Sequence, residues 1–213
     1  TLASQGFTKE TIYYLSSDTD LDLDGNGVLD DVDADATSSN LQQAIKAWGA
    51  DADNLILYLV DHGGSETFRM SGTETLSADE LNSWLADVET TISGKILVIY
   101  DACNSGSFLS RLASSNDQAR ILITSTSPGE SAYFVTQGSI SFSNYFWTHI
   151  LNGLTIKDAF DLTRQAIEFT TIHQNPLLDA DGNGLGNETA DFKLASNTYI
   201  GNGAATHSEA PEI

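Results

Sequence analysis

The chain has 213 residues, 40% of them hydrophobic, so about 85 side chains are available for one sizeable core and one domain. Nine Lys and Arg stand against 30 Asp and Glu, and a net charge of −21 repels phosphate backbones and anionic lipid; nucleic acid and membrane surfaces are excluded as partners. The longest apolar run, Leu55–Val60, is far short of the ~20 residues a bilayer span requires, so no membrane span is expected. Cys103 is the one cysteine, which rules out an internal disulfide. The chain opens at Thr1 with neither Met nor a signal peptide, as a processed piece of something longer would.

In chain order, Gly6 reads as a helix C-cap, and Thr11–Leu15 (TIYYL) reads as a strand of β-branched and aromatic residues. Leu41, Ala44, Ile45 and Trp48 recur at helical spacing behind Ser38 or Ser39 as cap. Leu55–Val60 (LILYLV) has the continuous apolar character of a parallel strand covered on both faces. Thr67–Met70 and Glu74–Leu76 flank Ser71-Gly72 as a small hairpin. Ser77 and Glu80 form a capping box that opens a helix with Leu81, Trp84, Leu85 and Val88 on one face. Ile96–Tyr100 and Ile121–Ser125 are two further buried strands. Phe142–Leu151 is a helix ending at Asn152-Gly153, and Thr155 caps another that carries Ala159, Phe160, Thr163 and Ile167. Strands alternating with amphipathic helices predict an α/β fold with a mainly parallel sheet, and active groups collected where its strands end. Residues 1–195 form the expected domain, and 196–213 a C-terminal strand, tail or linker.

Two strand ends carry reactive side chains. Leu57–Val60 leads into Asp61-His62-Gly63-Gly64, and Ile96–Tyr100 leads into Asp101-Ala102-Cys103-Asn104-Ser105-Gly106. His62 and Cys103 are 41 residues apart, which leaves room for one hairpin and one helix between neighbouring strands. An imidazole beside a thiol stabilises the thiolate and can protonate a leaving amine, while main-chain N–H groups of Gly63 and Cys103 can face a developing oxyanion. No third residue is identifiable as an orienter of His62. His149 and His173 lie on helices or their ends and His207 in the tail, so they suit the role less well.

These two motifs resemble the paired motifs of caspase-like cysteine peptidases, nearest to the legumain (C13) family. Ile123–Tyr133 (ITSTSPGESAY) is similar to the substrate-binding strand that follows the cysteine in legumains. The resemblance covers about residues 5–178. It implies a caspase-like three-layer sandwich with helices on both faces, a His62–Cys103 dyad, and hydrolysis of peptide bonds. Gly63 would serve the oxyanion, and Ser125 and Ser127 would contact substrate. The caspase form Gln-Ala-Cys is absent: Asp101 stands two before Cys103, where legumains and clostripain-like peptidases have an acidic residue lining the S1 pocket. A P1 Arg or Lys, or a P1 Asn, would suit it. Legumains add an Arg-His pair after the first strand, which would lie before Thr1, and an Asp where Ser141 stands here. Thr11–Leu15 would match the family's second strand, so an upstream segment or a cleaved N-terminal fragment is the expected partner that completes the sheet. A transpeptidase or ligase using the same dyad, or a non-catalytic calcium-binding module, are the alternative readings.

The acid is concentrated in two loops, 18–35 and 179–191, with Gly and Asn spaced between the carboxylates. Asp22-Leu23-Asp24-Gly25-Asn26-Gly27 follows the D-x-[DN]-x-[DN]-G calcium pattern, with Val28 at the seventh position and Asp33 at the twelfth; Asp20 stands beside it. Such a loop offers a hard cation the six or seven oxygens it prefers. Asp179, Asp181, Asn183 and Leu185 begin the same way, but Ala190 falls at the twelfth position, so Glu188 or Asp191 has to close the site. Neither loop is flanked by two convincing helices, so calcium-clamped surface loops are expected. Millimolar external calcium suits them, which points to secretion or display at the cell surface.

Overall fold

The computed structural model describes residues 1–114, 120–170 and 174–205; His173 and His207 lie outside them. Gly6 ends a short 3-10 turn at Ala3–Gln5 in the left-handed conformation expected of a cap. The next segment departs from expectation. Thr11 closes a second 3-10 turn, and the extended stretch after it pairs only as β1 (Leu15–Ser16) with β2 (Ala34–Asp35), in parallel, apart from the main sheet. Helix α1 (Ser38–Gln43) is capped by Thr37, not by Ser38 or Ser39, and runs on as a π-helical turn over Ala44–Trp48.

Then come β3 (Leu55–Val60), β4 (Gly63–Gly64), β5 (Thr67–Arg69) and β6 (Thr75–Ser77). The hairpin β5–β6 forms as its turn predicts, with β4 as a third strand. Helix α2 (Ala78–Val88) opens on the Ser77–Glu80 capping box. Strand β7 (Ile96–Asp101), β8 (Ile121–Thr124), α3 (Phe142–Leu151), α4 (Ile156–Thr170), β9 (Leu177–Asp179) and α5 (Thr189–Ala195) follow. Thr155 caps α4 through Asp158 N–H at 3.1 Å.

The main sheet has the order β3-β7-β8-β9, parallel except for β9. Alternate residues of β7 feed two cores. Ile96, Val98 and Tyr100 pack with α1, α2 and the hairpin, while Leu97 and Ile99 pack with α3, α4 and α5. A sheet with helices on both faces is the three-layer α/β caspase-like sandwich. Every residue of β7 is buried, as a fully covered strand requires. β3 is not covered on both faces: Tyr58 and Val60 are 38% and 43% exposed, because β3 is the outer strand of this sheet. Between its open edge and the N-terminal segment lies a groove of about 1550 Å³, lined by Tyr13 to Ser16 on one side and Ile56 to Val60 on the other. Among the described residues no helix is long and apolar enough to cross a membrane.

One buried ion pair ties the first layer to the sheet. Arg120 and Glu89, both under 3% exposed at the side chain, meet through two N–H···O bonds of 2.5 and 3.0 Å. The two Nη1 N–H groups reach Asn82 Oδ1 and the carbonyl of Leu112.

Candidate active site

The parallel register pairs Val60 of β3 with Asp101 of β7. Two residues further along each chain come His62 and Cys103, so both leave the same carboxyl edge of the sheet from adjacent strands. Their loops touch at Gly63. A Cβ there would run onto the carbonyl oxygen of Cys103 and stand 2.7 Å from the Tyr100 hydroxyl and 2.9 Å from the Ala102 methyl. Only glycine lets the chain after His62 approach the cysteine this closely. The Tyr100 hydroxyl beneath donates to the carbonyl of Thr67 in the hairpin; burial raises its pKa well above the usual phenol range, with the Cys103 and Asp61 charges adding to it. His62 is exposed and Cys103 half-buried.

The thiol meets the strand-like loop after β8. Ala132 N–H donates to Cys103 Sγ at 3.4 Å. Gly106 completes the crossing, since a Cβ there would stand 2.5 Å from the carbonyl of Thr126. Ser125 is fully buried, its carbonyl accepting from Gln174 Nε2. Ser127 is half-buried, and its hydroxyl donates to the carbonyl of Asn175. The structure therefore gathers His62, Gly63 and Cys103 at one edge, while Ser125 is fully buried, its N–H donating to the carbonyl of Tyr100.

Asp101 is 1% exposed and faces helix α3. Its Oδ2 accepts from the N–H of Ser143 at 3.0 Å and from the Ser143 hydroxyl at 2.5 Å. Tyr58, from the groove wall, donates to the same Ser143 oxygen at 2.7 Å. Burial pushes the Asp101 carboxyl up from its ordinary value, against the lowering effect of the Ser143 and Ser125 donors. Ser141, at the position of a legumain S1 carboxylate, is the N-cap of α3, accepting from Asn144 N–H.

The first acidic loop folds around its own carboxylates. Asp22 accepts from Asn26 and Gly27 N–H, Asn26 accepts from Val28 N–H, and Asp22, Asp24 and Asp31 bring ligand oxygens within 4.8 Å of one another. Asp31, not Asp33, joins the pair. Asp33 is drawn off into the β1–β2 ladder, where its carboxylate accepts from Tyr14 N–H at 2.7 Å. Asp20 is outside the trio, its own N–H donating to Asp18. In the second loop Asp179, Asp181 and Asp191 converge in the same way. Asp191 closes it, thirteenth from Asp179, while Glu188 instead accepts from Asn183 Nδ2. Asp179 and Asp191 are fully buried; burial, reinforced by the neighbouring carboxylates, pushes Asp179 up to about 6 despite N–H donors from Gly184 and Gly182. Three carboxylates around one point, two of them buried, are a donor set for a hard cation. Of the two residues expected to close the second loop, Glu188 and Asp191, it is Asp191 that does so; Asp31 in the first loop departs from the twelfth-position pattern, and its signal is the Asp30-Asp31 doublet.

No curated protein shows a significant match to the chain. Residues 33–177, more than half of the chain and including both strand-end motifs, match the model of the Peptidase C13 family, and the chain therefore belongs to this legumain-like family of caspase-fold cysteine peptidases.

Proposed function

We propose that the chain is a calcium-stabilised cysteine endopeptidase acting through His62 and Cys103. The observation that carries this is the β3–β7 register, which sends both residues off one sheet edge with Gly63 against the cysteine carbonyl. The Cys103 thiol passes its proton to His62, and the thiolate adds to the scissile carbonyl carbon. The oxyanion turns toward main-chain N–H groups of Gly63 and Cys103. Collapse breaks the C–N bond, His62 returns the proton to the leaving amine, and a thioester remains. Water, losing a proton to His62, adds to the thioester and releases the acid and the thiol. An amine in place of that water would give transpeptidation from the same intermediate. Asp101 is the carboxylate assigned to P1 selection, for Arg or Lys by charge or Asn by accepting its amide N–H. Calcium held by Asp22, Asp24 and Asp31 and by Asp179, Asp181 and Asp191 would stabilise the loops, which suits secretion or the cell surface.

The partner that goes with this reading is an extended strand from an upstream segment of the same protein, joined or cleaved. Its support is the groove between β1 and the outer edge of β3, whose main chain is unpaired there among the described residues and would take a strand by ladder hydrogen bonds. Intact-mass analysis of the native protein should show that segment, attached or copurifying until denaturation. Its absence from an active monomer would remove the partner.

The decisive experiment is a P1-scanned fluorogenic peptide library on wild type, Cys103→Ala and His62→Ala, with calcium and with EDTA. Cleavage after Arg, Lys or Asn should disappear in both variants, because thiol and imidazole act as a unit. Undiminished cleavage by Cys103→Ala would refute the dyad. No cleavage of any peptide by the calcium-loaded wild type would favour a non-catalytic calcium-binding module.

A further inference from the structure

Glu130 has no part in the chemistry above, yet it joins three separate pieces of chain beside the thiol. Its Oε2 accepts from the main-chain N–H of Ser127 at 3.0 Å and of Asn175 at 2.9 Å, and its Oε1 accepts from Asn175 Nδ2 at 2.6 Å. Its main-chain carbonyl takes the N–H of Asn104 at 2.8 Å. Asn104 directly follows Cys103, sits in the left-handed region at φ 60°, and returns a bond by accepting from Gly129 N–H at 2.9 Å. A carboxylate accepting three N–H bonds is among the stronger polar anchors a loop can have. Two residues beyond it, Ala132 aims its N–H at Cys103 Sγ. The loop is held again just past Ala132, where Tyr133 N–H donates to Gln174 Oε1 at 3.2 Å, but the Glu130 carboxylate is the charged anchor before it: Pro128-Gly129 is a turn, and Tyr133, Phe134 and Val135 are more than 40% exposed.

From this clamp we infer that Glu130 is a positioning residue of the active site, which holds Ala132 N–H as a hydrogen-bond donor to the Cys103 sulfur. The inference rests on the peptidase reading for its catalytic consequence, but not for its effect on the thiol. In Glu130→Ala the three N–H groups lose their acceptor, the turn at Ser127–Glu130 loosens, and Ala132 drifts from the sulfur. In Glu130→Gln one oxygen still accepts both main-chain N–H groups, and rotation of the Asn175 amide restores the third bond with donor and acceptor exchanged.

The test is the rate at which iodoacetamide alkylates Cys103 at pH 7, read beside peptide turnover and thermal unfolding. Because a donor to a charged acceptor is worth roughly a factor of ten or more, Glu130→Ala should be alkylated about tenfold more slowly than wild type and lose about tenfold in kcat. Glu130→Gln should recover both to within about threefold. A loop that merely shields the thiol predicts the opposite sign, faster alkylation once it loosens, and that result would overturn the inference, as would an unchanged rate. If Glu130→Ala does not fold, Asn175→Ala, which removes only the side-chain donor, should slow alkylation in the same direction, and no slowing there would overturn the inference. Alkylation is read on protein whether or not it turns over peptide, so a failed peptidase reading and a failed role for Glu130 are separable.

Discussion

Replacing Gly63 by alanine probes the contact on which the site depends. The new methyl would fall on the Cys103 carbonyl oxygen and lie 2.7 Å from the Tyr100 hydroxyl and 2.9 Å from the Ala102 methyl, against the ~3.5–4.0 Å at which such atoms rest comfortably. None of the three can give way cheaply. The carbonyl belongs to the cysteine's own main chain, Tyr100 is 1% exposed with its hydroxyl held on Thr67, and Ala102 is fully buried. The loop carrying His62 must therefore back off by about 1 Å, and displacement of that size can cost on the order of 10²-fold in rate. Overpacking should destabilise by about 1–3 kcal/mol, which for a domain of this size lowers Tm by about 3–10 °C. Gly72→Ala is the control: its Cβ would meet nothing within 4 Å, so only its φ of +64° is penalised, at about 1 kcal/mol with activity unchanged. Thermal unfolding and kcat/KM on the best library peptide measure both. A Gly63→Ala protein with wild-type kcat/KM and Tm would show that the two strand ends do not meet as described.

Glu89→Ala leaves the Arg120 guanidinium buried without its carboxylate and should cost about 3–5 kcal/mol by denaturant unfolding, whereas a paired Glu89→Met, Arg120→Met replacement should cost far less. Chelation should lower Tm, since an ion held 100-fold above its Kd adds about 2.7 kcal/mol, and Asp179→Asn should remove more of that gain than Asp22→Asn because Asp179 is buried and Asp22 exposed. Asp101, raised by burial, binds its proton more tightly folded than unfolded, so its contribution is complete below about pH 4, the unfolded value, and is lost as pH rises through the folded one. Asp101→Asn keeps an acceptor for Ser143 without the charge, so its stability relative to wild type should rise from pH 4 to pH 8; a constant difference across that range would refute the assignment.

The elements most legible in the sequence are those whose local and long-range demands agree. Ile96–Tyr100 is apolar throughout because β7 is covered on both faces, and Ser77-x-x-Glu80 is a cap wherever it stands before an apolar helical face. Where a segment serves two masters the reading slips. Leu177–Asp179 is at once the antiparallel strand β9 and the first ligand of an acidic loop, so its apolar content is too short to register as a strand. The seven residues of α5 follow a Glu188 cap with Asp191 turned inward, and carry no full apolar repeat. Asp33 has the spacing of a ligand, yet a main-chain donor on Tyr14 claims it first. The placing of His62 and Cys103 at one sheet edge is legible because two strand-end motifs coincide; the clamp at Glu130 is not, because its partners lie 26 and 45 residues away.

His62 and Cys103 stand on unequal foundations. Cys103 follows β7, which has a paired strand on each side and every residue buried; His62 follows β3, which has β7 on one side and the groove on the other. An outer strand loses its end pairs more readily than an interior one, since local opening follows the number of buried contacts and protected main-chain bonds. The His62 side of this edge is thus the softer one. Tyr58 makes the consequence specific: it lies on the groove wall and bonds to Ser143, which in turn holds Asp101. A strand seated in the groove would fix β3 along its length and, through Tyr58 and Ser143, the carboxylate assigned to P1. Filling that groove would therefore act on the positions of His62 and Asp101 together, His62 through the end of β3 and Asp101 through Tyr58 and Ser143.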